Sequence, residues 1–571
     1  MKWDKKGLFS AVVAAVLAFA VRGEVKRILE PLKPGEIVAP GGRKGLRIVG
    51  PLATAVTGRK TVAVRLEGVS AATVATGVLS CGNVKVASLS PARPDALVFD
   101  VPSCGLYTLE AAAVGSDGVT NATAVTTFAV VPAISERPRE LGVCTHFAHG
   151  KGAYPLTFDL LRLMGVSRIR DDLAWKAVEH RPGGYAIPGF ADDLVSRCEE
   201  YGITPLFVFG YPNGKCYPGG FKGKPFPTDD DTRKACADAL AFAVKHYGRR
   251  VPAWELWNEP NYAHPVKDYL PLLKFVYPAV KAACPDVKLI SGGGSGAGGG
   301  PGGTFINPIF GAKGQDFQDG WSIHPYMSPN TPDHGYFCDW PPFGKEVGSA
   351  VNVEYSSRYL LGRAAKFLRS DGKALELWVT EIGWTCAKVN DEQQAAYITR
   401  ALLLYRRHAP GVPVFLYDFQ NDGTKPDDVE HNFGLIRKDF SPKPSFQAVA
   451  VAASLLANRP FTDALMDGDD CRIYGYGSGG KADVYAAWNV GKSWKNREAP
   501  SAREVQVALP AGNWKLIDWQ GRPQPFVRTP DGRVTLNLSD RPSWLVRADV
   551  YDAVLSPHTY AAMRFALASE R

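Results

Sequence analysis

The chain carries ten cysteines, at positions 81, 104, 144, 198, 216, 236, 284, 338, 386 and 471, but no two of them form a Cys-x-x-Cys pair. Its absence removes the usual sequence signature of a structural zinc site. No block of lysine and arginine occurs either. The formal charge is +9, of which the first twenty residues supply three lysines and one aspartate, a net +2 that leaves about +7 scattered over the rest. A nucleic-acid protein concentrates such charge on one stripe, so no nucleic-acid partner is expected. Beyond the first twenty residues no segment is apolar enough to cross a bilayer, which a helix of about 20 apolar residues would need.

What is present begins with MKWDKKGLFSAVVAAVLAFA, a basic start, an apolar run from Leu8 to about Ala20, and Ala18-Phe19-Ala20 as a small-residue cleavage site. Residues 1–20 read as a secretory signal peptide, so the mature protein is expected to be secreted, periplasmic or extracellular, with no membrane span after cleavage. Export permits disulfides, and Cys81 with Cys104 is the candidate pair within one β module.

The 571 residues are too many for one compact core and divide into blocks of different texture. Residues 25–135 alternate apolar and polar side chains in short runs such as TVAVRLEGV, ALVFDV and LYTLEAAAV, with turns such as GSDG between them. This pattern predicts an antiparallel β-sandwich, and GLYTLEAAAVGSDGVTNATAVTTFAVV resembles the last strands of bacterial immunoglobulin-like modules. Its role is read as a spacer, with sugar binding as the alternative.

From 140 to 458 short apolar segments alternate with helical ones. The strands read LGVCTHF, VSRIRDDLAW, ITPLFVFGY, VPAWELWNE, VKLISGG, GWSIHPY, LELWVTEIGW and VPVFLYDFQ. This repeat predicts a (β/α)8 barrel, an α/β fold whose parallel strands are covered on both faces. Residues 459–550 return to short strands (DVYAAWNV, REVQVALP, RVTLNL, SWLVRADV) and predict a second β-sandwich, with 551–571 as a partly helical tail.

In such a barrel the reactive groups sit where strands end. Strand four ends Trp254-Glu-Leu-Trp-Asn-Glu-Pro-Asn261 and strand seven ends Trp378-Val-Thr-Glu-Ile-Gly-Trp384. Each places one carboxylate, Glu259 or Glu381, at the rim. Cleavage of a glycosidic bond needs two carboxylates held at a fixed separation, and two barrel strands supply that. Glu255, inside strand four, is expected to point into or under the barrel with a basic partner, and Glu376 opens strand seven at the wrong end.

Trp257-Asn258-Glu259-Pro260 followed by a later strand ending in Glu381 resembles clan A of the retaining glycoside hydrolases, and WELWNEPN is most similar to family 39. Family 5 and other clan relatives share much of the pattern. The resemblance covers the barrel and, more loosely, the following β module. It implies Glu259 as general acid/base, Glu381 as nucleophile, carboxyl groups about 5–5.5 Å apart, and Asn258 on the sugar 2-hydroxyl. It further implies Tyr326 and His324, from Ser322-Ile-His-Pro-Tyr326, and Arg170 on strand two as residues around the nucleophile.

His146, in Cys144-Thr-His-Phe-Ala-His149, is expected to touch substrate. The spacing of its two histidines invites a metal, but the implied mechanism needs none, and none is expected. Trp175, Trp384 and Tyr417 are candidates to stack on sugar faces; Tyr417 stands where many relatives carry tryptophan. Gly294-Ser-Gly-Ala-Gly-Gly299 satisfies a dinucleotide-loop pattern, yet Gly300-Pro-Gly-Gly303 follows where a helix should open. It is read as a mobile loop over the rim, with no cofactor.

The expected activity is retaining cleavage of a β-linked glycoside in a poly- or oligosaccharide. The alternatives are an α-L-glycosidase (iduronide or arabinoside) of the same clan and a non-catalytic carbohydrate-binding protein. The insertion from about Ser328 to Ser349 is expected to form one wall of the cleft.

Overall fold

The computed structural model describes residues 45–556, apart from 57–60, 70–72, 94, 153–155, 261–265, 296–305, 338–349 and 492–501. The segment expected to be a signal peptide, most of the glycine-rich loop, much of the insertion after Ser328 and the end of the tail lie outside the described residues.

Eight strands close a parallel barrel in chain order: β1 (Leu141–Cys144), β2 (Arg168–Ala174), β3 (Thr204–Gly210), β4 (Ala253–Leu256), β5 (Lys288–Ser295), β6 (Gly320–His324), β7 (Glu376–Ile382) and β8 (Val414–Leu416). β8 pairs back onto β1, Phe415 opposite Gly142, which completes the ring. The strands are continuous apolar runs because both faces are covered; in TPLFVFG of β3 every residue after the first is buried. The expected barrel is therefore present.

The intervening helices carry their own start and stop signals. Asp391–His408 begins with a reciprocal capping box between Asn390 and Gln393, has Asp391 and Glu392 in its first turn, and ends on Arg406, Arg407 and His408. These charges oppose the helix dipole at each end. Asp230–Tyr247 is capped by the Asp229 carboxylate accepting from the Thr232 amide.

Two β modules flank the barrel. In the first, strands between Arg47 and Val131 pair antiparallel, except that Ala53–Ala55 lies parallel to Thr120–Val131. Alternate residues of Gly105–Gly115 are buried, as the sequence pattern requires. The aromatic residues of its described part, Phe99, Tyr107 and Phe128, are all buried. None of these three rings is open for a sugar to stack on. Cys81 and Cys104 are both free thiols. The expected pair does not form because Cys104 is drawn into the inter-module contact, its Sγ facing the Gln520 carbonyl at 3.3 Å and the Gln447 amide at 3.3 Å.

The second module follows Pro460. A six-stranded sheet and the pair Arg503–Ala508/Arg533–Leu538 enclose Ile473, Tyr485, Val505, Val534, Leu536 and Leu545. A short helix, Ala548–Val554, ends the described chain.

The last barrel helix, Pro444–Leu456, is buried at every position from Ser445 to Leu456. Its outer side is not wet because both modules cover it. Gln447 Nε2 donates to the Val130 carbonyl of the first (3.0 Å) and the Gln520 carbonyl of the second (2.8 Å). Among the described residues, no helix is long and apolar enough to cross a membrane.

Candidate active site

The C-terminal ends of the barrel strands are where the backbone departs from regular geometry. His146 after β1, Tyr211 after β3, and Trp257 and Glu259 after β4 take φ of 56°, 66°, 70° and 44°. Side-chain-bearing residues enter this left-handed region at a cost of about 1–3 kcal/mol each, and such strain gathers at functional sites. At β4 it turns Glu259 into the barrel mouth.

Glu381 leaves β7 into the same mouth and is 6% exposed. Arg170 Nη1 donates to its Oε1 at 2.7 Å, the Tyr326 hydroxyl donates to its Oε2 at 2.7 Å, and His324 Nδ1 lies 3.4 Å from Oε2. Burial alone would raise its pKa. The charges of His324 and Arg170 and the Tyr326 hydrogen bond outweigh burial and hold it below the ordinary glutamate value. Glu381 is thus kept ionised and aimed.

Glu259 is more exposed, at 23% of its side chain, and its Oε1 lies 2.9 Å from His324 Nδ1. His324 is fully buried, and its Nε2 faces Thr380 Oγ1 at 3.1 Å. Thr380 spends its own hydroxyl proton on Glu255 Oε1 at 2.7 Å, so it accepts from Nε2–H. One further proton is then shared between Nδ1 and Glu259. Burial works against an imidazolium, but Glu381 and Glu259 outweigh it and keep the histidine pKa above its usual value.

Beneath both lies Glu255, wholly buried. Besides Thr380 it accepts from Arg170 Nε (2.6 Å), Ser322 Oγ (2.6 Å) and the Gly293 amide (3.0 Å). Arg170 divides its guanidinium among Glu255, Glu381 and Asn258, whose Oδ1 accepts from Nη2 at 2.8 Å. With its carbonyl occupied, Asn258 keeps its amide N–H groups as donors. A Cβ on Gly293 would collide with the His324 ring, so glycine is required there for close approach.

A second cluster lines the β1–β8 side. Lys151 is buried, and its Nζ donates to His146 Nδ1 (2.8 Å) and Asp418 Oδ2 (3.0 Å) and contacts Asp422. His146, Asp418 and Asp422 have the donor set of a cation site, but the lysine ammonium stands among them and supplies the positive charge. Because Nδ1 of His146 accepts, the neutral ring holds its proton on Nε2. His146 meets the Tyr417 ring edge-on at 5.3 Å, and Tyr417 meets Tyr326 at 6.0 Å. Glu430, exposed beside the Tyr417 hydroxyl at 3.4 Å, is pushed up to about 7 by local desolvation and by the charges of Asp418 and Glu381.

Of the residues expected from the sequence, Glu259, Glu381, Asn258, Arg170, His324 and Tyr326 converge on one point, with His146 and Tyr417 beside them. Trp175 and Trp384 do not join them as sugar platforms; both are fully buried. Trp175 donates to Glu179 (2.6 Å) and stacks on Tyr217, while Trp384 donates to the Asn330 carbonyl (2.7 Å). Each indole N–H found an interior partner, which lets the ring serve as core. Thr380, Gly293, Lys151, Asp418 and Glu430 were not foreseen. Thr380 had a usable signal, lying beside Glu381 on the same strand; Gly293 lies in β5 where its pairing with β6 is irregular, and the other three follow strands in the connecting segments.

A parallel eight-stranded barrel with a carboxylate at the ends of its fourth and seventh strands defines the O-glycosyl hydrolases of clan A. The comparisons agree. The structure superposes on a family 39 glycoside hydrolase from the gut symbiont Bacteroides cellulosilyticus WH2 with TM-score 0.79 and 47% identity, covering 88% of this chain and 100% of that one. The chain belongs to glycoside hydrolase family 39. A GH30 endoxylanase from Clostridium papyrosolvens C71 is 14% identical with TM-score 0.48, covering 73% of this chain and 97% of that one. A curated relative, "Putative glucan endo-1,3-beta-glucosidase GVI" of Hordeum vulgare, is 27% identical over 139 residues, 21% of this chain and 42% of that protein. No family model matches.

Proposed function

We propose that this enzyme cleaves a β-linked glycoside in a poly- or oligosaccharide with retention of configuration, outside the cytoplasm, and that Glu259 and Glu381 carry the reaction. The observation behind this reading is that Glu259, His324 and Glu381 each offer an atom within 4.8 Å of the others. That closeness suits direct attack; an inverting pair stands about 6.5–9.5 Å apart to admit a water.

In the first step Glu381 attacks the anomeric carbon as the bond to the leaving oxygen breaks. Glu259 gives that oxygen its proton, drawn from the pair it forms with His324. The products are a glycosyl ester on Glu381 and the free aglycone. In the second step Glu259, now a carboxylate, takes a proton from water as the water oxygen attacks the same carbon, and Glu381 leaves. Arg170 and Tyr326 stabilise the carboxylate at the start and end of the cycle. Asn258 offers its amide to the 2-hydroxyl, a contact that strengthens as charge develops. His146 and Tyr417 are assigned to the sugar-binding wall.

A 2-deoxy-2-fluoro aryl glycoside, chosen from a panel of β-D and α-L sugars, is expected to trap the ester on Glu381, with the label found by peptide mass spectrometry. Product of inverted configuration by NMR, or a label on another residue, would overturn the assignment.

A further inference from the structure

One aspartate of the loop that leaves β6 is held by the second β module. The loop leaving β6 carries Tyr326 near its start, and the loop is folded tightly: the Asn330 amide donates to the Met327 carbonyl and the Gly335 amide to the Thr331 carbonyl, both at 2.8 Å. The Asn330 carbonyl receives the indole of Trp384, three residues past Glu381. One end of this loop therefore touches the nucleophile and its middle is tied to the strand that bears it.

The other end is held by a barrel helix and by the second module together. Asp333 is buried, and its Oδ2 accepts from Arg400 Nε of the helix Asp391–His408 at 2.7 Å. Its Oδ1 accepts from Trp488 Nε1 at 3.1 Å and lies 3.4 Å from Arg472 Nε, both in the C-terminal sheet. Two guanidiniums and an indole converge on one carboxylate at a depth where an apolar contact would hold the loop at lower desolvation cost. Directional bonds to a charge fix position in a way that apolar contact does not.

We propose that Asp333 is a positioning residue, through which the C-terminal module holds the β6 loop so that Tyr326 meets Glu381. The module is then a working part of the active site. This rests on the reading of Glu381 as nucleophile.

Trp488→Phe keeps an aromatic ring at the site and removes the N–H together with part of the indole's volume. Tyr476→Phe is the control: it removes another hydrogen bond of the same module, from the Tyr476 hydroxyl to the Leu403 carbonyl at 3.0 Å. The full-length variants are assayed for kcat, KM, the pH of the acid limb, and the rate of labelling by the fluoro glycoside. Trp488→Phe is expected to lower kcat about three- to tenfold, the scale of one hydrogen bond, with KM unchanged. Its acid limb should move to higher pH, as in Tyr326→Phe, and adding Trp488→Phe to Tyr326→Phe should cost nothing more. Tyr476→Phe should match the wild type. Asp333→Asn should exceed Trp488→Phe in effect, and if it does not fold, Trp488→Phe decides. Normal labelling of Glu381 together with a wild-type pH profile and kcat in Trp488→Phe overturns the inference alone. Labelling elsewhere in the wild type overturns it together with the nucleophile assignment.

Discussion

His324 Nδ1 lies 2.9 Å from Glu259 Oε1, closer than the 3.4 Å that separates it from Glu381 Oε2. The histidine thus belongs first to Glu259, and through Thr380, Glu255 and Arg170 a line of hydrogen bonds continues to Glu381. The two carboxylates share a foundation, yet their neighbours differ. Among the described residues, an arginine and a tyrosine donate to Glu381, and a histidine meets Glu259.

The first expectation concerns Glu259. Glu259→Ala should lower kcat/KM by about 10²–10⁴ for a natural leaving group, the usual contribution of general acid catalysis. A dinitrophenyl leaving group needs no proton, so its release should continue and the glycosyl ester should accumulate as a burst. Equal losses for both leaving groups would assign the proton to another residue.

Removing the hydroxyl that donates to Glu381 should change the pH profile. The lowered pKa of Glu381 keeps it ionised as pH falls below the ordinary glutamate value, and the Tyr326 bond is one cause. Tyr326→Phe takes that cause away, so the pKa rises and the acid limb of kcat/KM shifts to higher pH. An unmoved limb would show that Arg170 and His324 set the ionisation without it.

Gly293→Ala places a methyl group against the His324 ring. Since the ring is fully buried and has no room to retreat, it must turn or shift, and the Glu259 contact should fail. Activity is expected to fall by roughly 10²-fold or more, within the range of lost acid/base assistance. Circular dichroism should still report a folded barrel. Near-normal turnover would mean that the ring position is not needed.

Glu430 gives a stability test with a definite sign. Its folded pKa, about 7, lies above the ordinary glutamate value of 4.5, so in that interval the folded chain holds a proton that the unfolded chain has released. Stability from this group is present below pH 4.5 and is lost as pH rises to about 7. Glu430→Gln lacks that loss, so its melting temperature should gain on the wild type across the same interval. Curves that stay parallel would place Glu430 in the normal range.

The barrel and its two carboxylates were legible because strand ends in this fold are both the catalytic rim and a sequence landmark. The arginine and the His-x-Tyr of strand six followed from the same landmark. Trp175 and Trp384 were misjudged for a physical reason: aromatic residues near a rim either face the cleft or plug the space behind it, and only the partner of the indole N–H distinguishes the two. Lys151, Asp418 and Glu430 lie where no periodicity marks them, and their importance arises from a meeting of loops far apart in the chain. Glu255 was correctly read as buried with a basic partner, although its link to both Glu259 and Glu381 could not be read from one strand.

The burial of Pro444–Leu456 on every side has a consequence for how this chain can be divided. Trimming either flanking module would strip cover from a helix that has no water-tolerant surface and would take from Gln447 one of its two carbonyl acceptors. The catalytic barrel is therefore not an excisable cassette. Such an architecture is passed on whole, and any exchange of its appendages between relatives must carry a matching rewrite of that helix.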